Sequence, residues 1–156
     1  MPTCIDQPCV RSRDNEIGHE MTAVNLLANV APGLKGTSSL VVGPEHTAAK
    51  VGSGVIPVLA TPIMINVIEA AALACVEHLL PEGHQSLGIR LDVSHIAATP
   101  VGMSITAEAT VTKVEGRNVY FAVNCRDEKD LIGEGTHERV VVNVARFEER
   151  VRRKMQ

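Results

Sequence analysis

Three side chains in this sequence are of types that can move a proton or attack a carbonyl, and they fall in two neighbouring stretches. Glu69 sits inside the apolar run Thr61-Pro-Ile-Met-Ile-Asn-Val-Ile-Glu69-Ala-Ala-Ala-Leu-Ala-Cys-Val76. His95 ends the alternating run Leu87-Gly-Ile-Arg-Leu-Asp-Val-Ser-His95, on its apolar side. A carboxylate taken out of water is costly unless it is paired, hydrogen-bonded or protonated, and an inward imidazole nearby makes a general acid–base pair. Thr61, at the head of the first run, offers a hydroxyl that is either a nucleophile activated by His95 or an orienting group. The backbone N–H groups of Ile63 and Met64 lie where a helix would begin, and the positive end of a helix suits a developing oxyanion. The plainer reading makes Glu69 and His95 a structural pair and Thr61 an N-cap. A mid-helix Glu together with an inward His in one small domain tips the balance toward function, because perturbed ionisable groups gather at sites. Thr61 and Glu69 are eight residues apart, about 12 Å along a helix axis. A joint site therefore needs an intervening group such as His95, or a contribution from a second subunit.

The element that must hold Glu69 is a helix from Thr61 to Leu80. Thr61 stands at the N-cap and Pro62 at the first helical position, where its missing N–H is harmless; Pro81 and Gly83 stop the run. About nineteen residues make a rod roughly 28 Å long. Between Ile63 and Val76 only Asn66 and Glu69 are polar, so the rod is read as buried all round, and its alanines let a sheet wrap closely. The sheet follows from period-two patterns. Strands are predicted over 36–42, over 87–95 with Leu87, Ile89, Leu91 and Val93 on one face, over 101–111, over 119–125, and over 131–147 with bulges at Gly133 and Gly135. The fold class is thus α+β, a curved antiparallel sheet of about five strands wrapped around one long buried helix. A single such sheet has a thin core and open edges, which predicts a homodimer, with a tetramer as the larger alternative.

Composition narrows the function classes. The chain has 156 residues, a net charge of −3 and only three aromatic side chains. Stacking platforms and a phosphate-tracking groove are lacking, which argues against nucleic acid. The helix is too short and too Ala-rich to predict a membrane span. Cys4, Cys9, Cys75 and Cys125 show neither zinc-like nor disulfide-framework spacing, and no secretory leader is recognisable, so a reducing cytoplasm is expected. No pair of histidines has metal-ligand spacing, so no metal is expected. Residues 1–31 read as a poorly ordered extension before a domain spanning 32–156. The Gly-rich stretch 52–60 ahead of the helix reads as a mobile loop whose apolar half packs on something; it lacks the Lys and Ser/Thr of a phosphate-cradling loop. His137, in Gly135-Thr-His-Glu-Arg139, is assigned a structural role with an Arg139–carboxylate pair. The cations near the C-terminus, Arg150, Arg152, Arg153 and Lys154, read as a solvated helical tail, the sharper alternative being contact with coenzyme A phosphates.

That alternative anticipates a resemblance. Val58-Leu-Ala-Thr-Pro62, Glu69-Ala-Ala, Ser86-Leu-Gly88, Val93-Ser-His95-Ile-Ala-Ala-Thr-Pro100-Val-Gly102 and Gly135-Thr-His-Glu-Arg139, in this order and spacing from about Gly33 to Lys154, resemble the fluoroacetyl-CoA thioesterase-like family of the hotdog fold. The resemblance implies a dimeric acyl-CoA thioesterase acting on a small or medium acyl group, with Thr61, Glu69 and His95 catalytic and Gly88 positioning the thioester carbonyl. It implies no cofactor beyond the coenzyme A carried by the substrate. Where the fluoroacetyl-specific member gates its acyl pocket with a phenylalanine, this chain has Val55 at the nearest match, so the resemblance implies thioester hydrolysis without fixing fluoroacetyl-CoA as the substrate. Two rival readings are a non-catalytic acyl-CoA binder and an enoyl-CoA hydratase-like lyase. The lyase is disfavoured because its Asp-to-His spacing is absent: Asp92 and His95 lie three apart on one strand.

Overall fold

The computed structural model describes residues 25–156. In chain order its elements are β1 (Lys35–Val41), a 3₁₀ turn at Pro44–His46, α1 (Ala48–Val51), α2 (Thr61–Val76), a 3₁₀ turn at Glu77–Leu79, β2 (His84–His95), β3 (Ser104–Glu115), β4 (Asn118–Asp127), β5 (Leu131–Asn143) and α3 (Val144–Arg153). The strands form one five-stranded antiparallel sheet in the order β1-β3-β4-β5-β2, and α2 lies along its hollow face. This is the α+β layout that the switch from helical to alternating periodicity predicts. The expected extension over 1–31 lies mostly outside the described residues; in its described part Leu27 and Val30 are buried in the core.

Met64, Val67, Ile68, Ala71, Ala72, Cys75 and Val76 are the buried positions of α2, spaced by three and four so that they line one broad stripe. Facing them are Ile105, Ala107, Ala109 and Val111 of β3 and Val119, Phe121, Val123 and Cys125 of β4, all buried. Gly36 of β1 lets the helix backbone lie directly on the sheet: a Cβ there would overlap the Ala71 carbonyl and the Cys75 amide nitrogen. Each large side chain buried in this layer contributes about 1.5–3 kcal/mol.

The structure corrects four expectations. The rod is not buried all round: Asn66 and Leu73 are exposed and Glu69 is half-buried, so one face of α2 is left open by the described residues. The α-helix ends at Val76, one turn early, because Glu77 turns its carboxylate to accept from Ser86 N (3.0 Å) and Ser86 Oγ (2.6 Å). The last strand ends at Asn143, whose side chain accepts from Arg146 N at 3.1 Å and caps α3. Gly133 and Gly135 keep register with both neighbours, and the irregularity falls beside them, between Gly133 and Leu131. Their lack of a side chain serves close approach instead: a Cβ on Gly133 would meet Met64 Sδ at 2.7 Å, and one on Gly135 would run into the Asp92 carbonyl.

Candidate active site

Ala60 is the residue at the N-cap of α2, and its carbonyl accepts from both Ile63 N and Met64 N at 3.1 Å. Two sequence expectations change as a result. Thr61 is the first helical residue and its hydroxyl does not cap; Thr61 Oγ1 lies 2.8 Å from His95 Nδ1. The Ile63 and Met64 N–H groups expected to hold an oxyanion are already engaged, Met64 is fully buried in the core, and Pro62 has no N–H. Thr61 N–H is then the first of the helix without a backbone acceptor among the described residues. A hydroxyl and a free N–H thus sit on one residue at the positive end of α2.

His95 closes β2 opposite Gly133. Burial lowers its pKa from the ordinary 6.5, an interaction with the Ala97 backbone partly offsetting this, so the ring is neutral near pH 7. Its Nε2 is enclosed and has no hydrogen-bond partner among the described residues. A buried polar atom left unpaired costs about 1–3 kcal/mol, and a ligand atom would recover it.

Glu69 does not pair with His95. It faces a second cluster built from β2 and β5. Arg139 Nη1 lies 3.6 Å from Glu69 Oε1, and His137 Nε2 lies 3.9 Å from the same oxygen. Arg139 is buried and committed in three directions: Nε donates to Ser86 Oγ (2.9 Å), Nη2 to the Ser86 carbonyl (2.9 Å) and Nη1 to His137 Nε2 (3.2 Å). Ser86 Oγ donates its own hydrogen bond to Glu77, so a second carboxylate anchors the far end. His137 Nδ1 donates to the Arg90 carbonyl at 2.9 Å, which fixes the tautomer that leaves Nε2 free to accept. Burial, and then the Arg139 charge, hold His137 below its ordinary 6.5 despite that hydrogen bond and Glu69. The sequence predicts a carboxylate partner for Arg139 but not its anchors Ser86 and Glu77. The available signal was the spacing of Gly133, Gly135, His137 and Arg139: alternate residues of one strand share a face, and a cation on the core face requires a carboxylate.

Gly88 joins this cluster through a β-bulge. The register of β2 on β5 slips between Gly88 and Arg90, leaving Ile89 as the extra residue. The slip inverts the expected alternation: Ser86 and Gly88 face α2 before it, and Leu91, Val93 and His95 after it, while Leu87 falls on the other side. A Cβ on Gly88 would collide with Glu69 Oε1 and come within 3.1 Å of His137 Cε1. Gly88→Ala is therefore expected to fold normally, since a flexible carboxylate can yield, but to lower kcat about 100-fold by displacing that carboxylate roughly 1 Å. Unchanged kcat in a folded Gly88→Ala protein would show that the position of Glu69 is immaterial.

Two histidines with depressed pKa values set the response to acid. Between the folded pKa values and about 6.5 the unfolded chain binds protons that the folded chain does not, so stability rises with pH in that window. Stability is expected to be full above about pH 6.5 and to fall progressively on acidification toward the folded values. Urea midpoints between pH 7.5 and 5.5 test this; a flat profile would contradict it, and His137→Gln is expected to flatten the slope.

Thr61 and His95 line a cavity of about 460 Å³ with Val55, Ile56, Val58, Leu59, Ile96 and Ala97. Gly52 bends the loop into it at φ +82°, and Val55 and Ile56 are 90% and 63% exposed, an apolar rim without cover among the described residues. Ile63 lines a different cavity, against β1. Cys75 and Cys125 offer no rival nucleophile: both are buried, and burial pushes the Cys125 thiol up to about 11. Among the described residues no three His, Cys, Asp or Glu side chains converge to hold a metal.

Comparison with known proteins gives a consistent set of relatives. Residues 42–145 match the family described as fluoroacetyl-CoA-specific thioesterase. The fluoroacetyl-CoA thioesterase of Streptantibioticus cattleyicolor is 40% identical over 97 residues, which cover 62% of this chain and 70% of that one. A solved structure of a fluoroacetyl-CoA thioesterase variant in complex with acetyl-CoA superposes with a TM-score of 0.75 at 33% identity, covering 81% of this chain and 99% of the other. A Thermus thermophilus protein described as a thioesterase superfamily member matches at TM-score 0.75 and 32% identity, over 81% and 93% of the two chains.

Proposed function

The chain belongs to the fluoroacetyl-CoA-specific thioesterase family, and from that membership we propose that Thr61, Glu69 and His95 carry the hydrolysis of a small or medium, non-aromatic acyl-CoA to free acid and coenzyme A. Its fold is the hotdog and its reaction class is thioester hydrolysis. Glu69 takes a proton from the attacking water as the new C–O bond forms. Thr61, oriented by His95, holds the carbonyl at the head of α2, where its N–H meets the oxyanion. The C–S bond then breaks and the coenzyme A sulfur leaves with a proton. Each of these steps is written with side chains and water alone. Val55 and Ile56 at the cavity rim support an aliphatic acyl group and leave fluoroacetyl-CoA without the aromatic gate of the specific enzyme.

The working unit is a homodimer in the cytoplasm. In one chain Glu69, beside Gly88, stands seven residues along β2 from His95, about 20 Å at strand rise. Among the described residues β2 is a twelve-residue edge strand with one side unpaired, next to the open face of α2. A two-fold axis through the sheet pairs β2 antiparallel with its copy, extends the sheet and covers both helix faces. With the pairing centred on the bulge, Gly88 of the copy falls opposite Leu91, which brings the copy's Glu69 toward Thr61 and His95. The separation of the two clusters within a single chain is the observation that carries this reading.

The test is thioester loss from a panel of straight, branched and aromatic acyl-CoAs. Turnover is expected for the smaller aliphatic members. Tight binding of acyl-CoAs with no turnover would replace the enzyme with a binder.

A further inference from the structure

At the end of the sheet opposite His95, α3 and the β3–β4 turn enclose a second cavity, of about 540 Å³. Arg117, Arg146, Arg150 and Arg153 line it together with His84, against a single carboxylate, Glu149. Glu149 is spent on Arg153 at 3.0 Å, and Arg150 stacks on Phe147. Among the described residues Arg117, Arg146 and Arg150 have no carboxylate partner. In a chain whose net charge is −3, three uncompensated guanidiniums drawn from two separate elements around one cavity describe a receptor for a multiply charged anion. Planar guanidinium forks match phosphate oxygens.

We infer that this cavity binds the phosphates of the coenzyme A substrate, and that it serves the Thr61–His95 site of the other subunit. The inference rests on the thioesterase reading and on the β2-paired dimer. Within one chain the cavity lies beside Asn143 while His95 pairs with Gly133, about 30 Å away along β5, too far for one pantetheine arm to span. Antiparallel pairing of β2 with its copy reverses the geometry: the copy's His84 end comes beside His95. Its β5, which leads into α3, then stands two strand spacings away, about 10 Å. An acyl group at Thr61 and His95 and a nucleotide on the copy's arginines are then joined by an extended pantetheine across the subunit boundary.

Arg146→Gln/Arg150→Gln, at two exposed positions where folding is not at stake, is expected to raise KM for an acyl-CoA about tenfold or more with kcat held. The kcat/KM for the same acyl group on N-acetylcysteamine, which has no phosphate, should not move. Titration calorimetry with 3′,5′-ADP reads the cavity without any turnover: binding by the wild type and its loss in the double variant are expected. If the protein binds 3′,5′-ADP through these arginines yet hydrolyses nothing, the thioesterase reading fails and the phosphate cavity stands. If it hydrolyses acyl-CoA and the double variant is indifferent, the cavity inference fails alone. Binding of 3′,5′-ADP that does not compete with acyl-CoA would reassign the cavity to a separate phosphorylated ligand and overturn the inference. Mixing the double variant with His95→Ala chains tests the crossing. The mixed dimer has one intact catalytic site facing one intact arginine cavity only if the two belong to different chains, and its KM should then return to the wild-type value; a KM that stays raised overturns the shared arrangement.

Discussion

Glu69→Gln is expected to lower kcat on the best acyl-CoA by 100-fold or more with KM little changed. The amide matches the carboxylate in shape, so the open face of α2 and the approach to Gly88 are kept while the proton acceptor is lost. General-base contributions are typically 10²–10⁴-fold. Stability should hardly register the change: Glu69 is about one-third exposed and its ion pair with Arg139 is long, at 3.6 Å, and such partly solvated pairs contribute at most about 1 kcal/mol. A loss confined to kcat is the mark of an interaction made in the transition state. Retention of more than about a tenth of wild-type turnover would remove Glu69 from the proton transfer and leave Thr61 and His95 to act alone.

Arg139→Met is the change expected to cost most in stability, about 3–5 kcal/mol in urea unfolding. The methionine fills much of the volume, but the Ser86 carbonyl, Ser86 Oγ and His137 Nε2 lose their donor, and Glu77 loses the cation that Ser86 relays to it. Arg139→Lys should recover only part of this, because one ammonium cannot reach three partners that a planar fork meets together. Arg139 lies 3.6 Å from Glu69, and the two substitutions are therefore expected to be coupled: Arg139→Met should reduce kcat in the wild-type background and do little more once Glu69→Gln is present. A destabilisation below about 1 kcal/mol would mean that the network relaxes around its loss, and additive effects on kcat would separate Arg139 from Glu69.

The ionisation of the site follows from burial. His95 and His137 are both held neutral near pH 7, for different ends. His137 is locked between Arg90 and Arg139 and holds a place in the wall. His95 touches Thr61 on one side and keeps Nε2 unspent on the other. A histidine with one nitrogen engaged and one idle is suited to orient a hydroxyl and meet substrate.

Most of the architecture was legible in one dimension. The apolar run from Thr61 to Val76 and the alternations that follow are local patterns, and local patterns report helix, strand and the face each must bury. Thr61, Glu69 and His95 were recognisable because ionisable or hydroxylic residues break those patterns. What one dimension could not carry was the phase of β2. Its alternation reads as continuous, yet the bulge at Ile89 turns Gly88 and Ser86 to the helix side, because β5 offers one residue where β2 offers two. The bulge answers to contacts across the sheet, so nothing in the sequence of β2 itself reveals it. The same holds for Thr61, which as a residue type favours capping; folding brings His95 Nδ1 to 2.8 Å from its hydroxyl and leaves the cap to a backbone carbonyl. The separation of Thr61–His95 from Glu69–Arg139 is likewise a product of tertiary packing. Residue types singled out the candidate groups, but their distances depend on register and on the wrapping of the sheet, which arise between segments far apart in the chain.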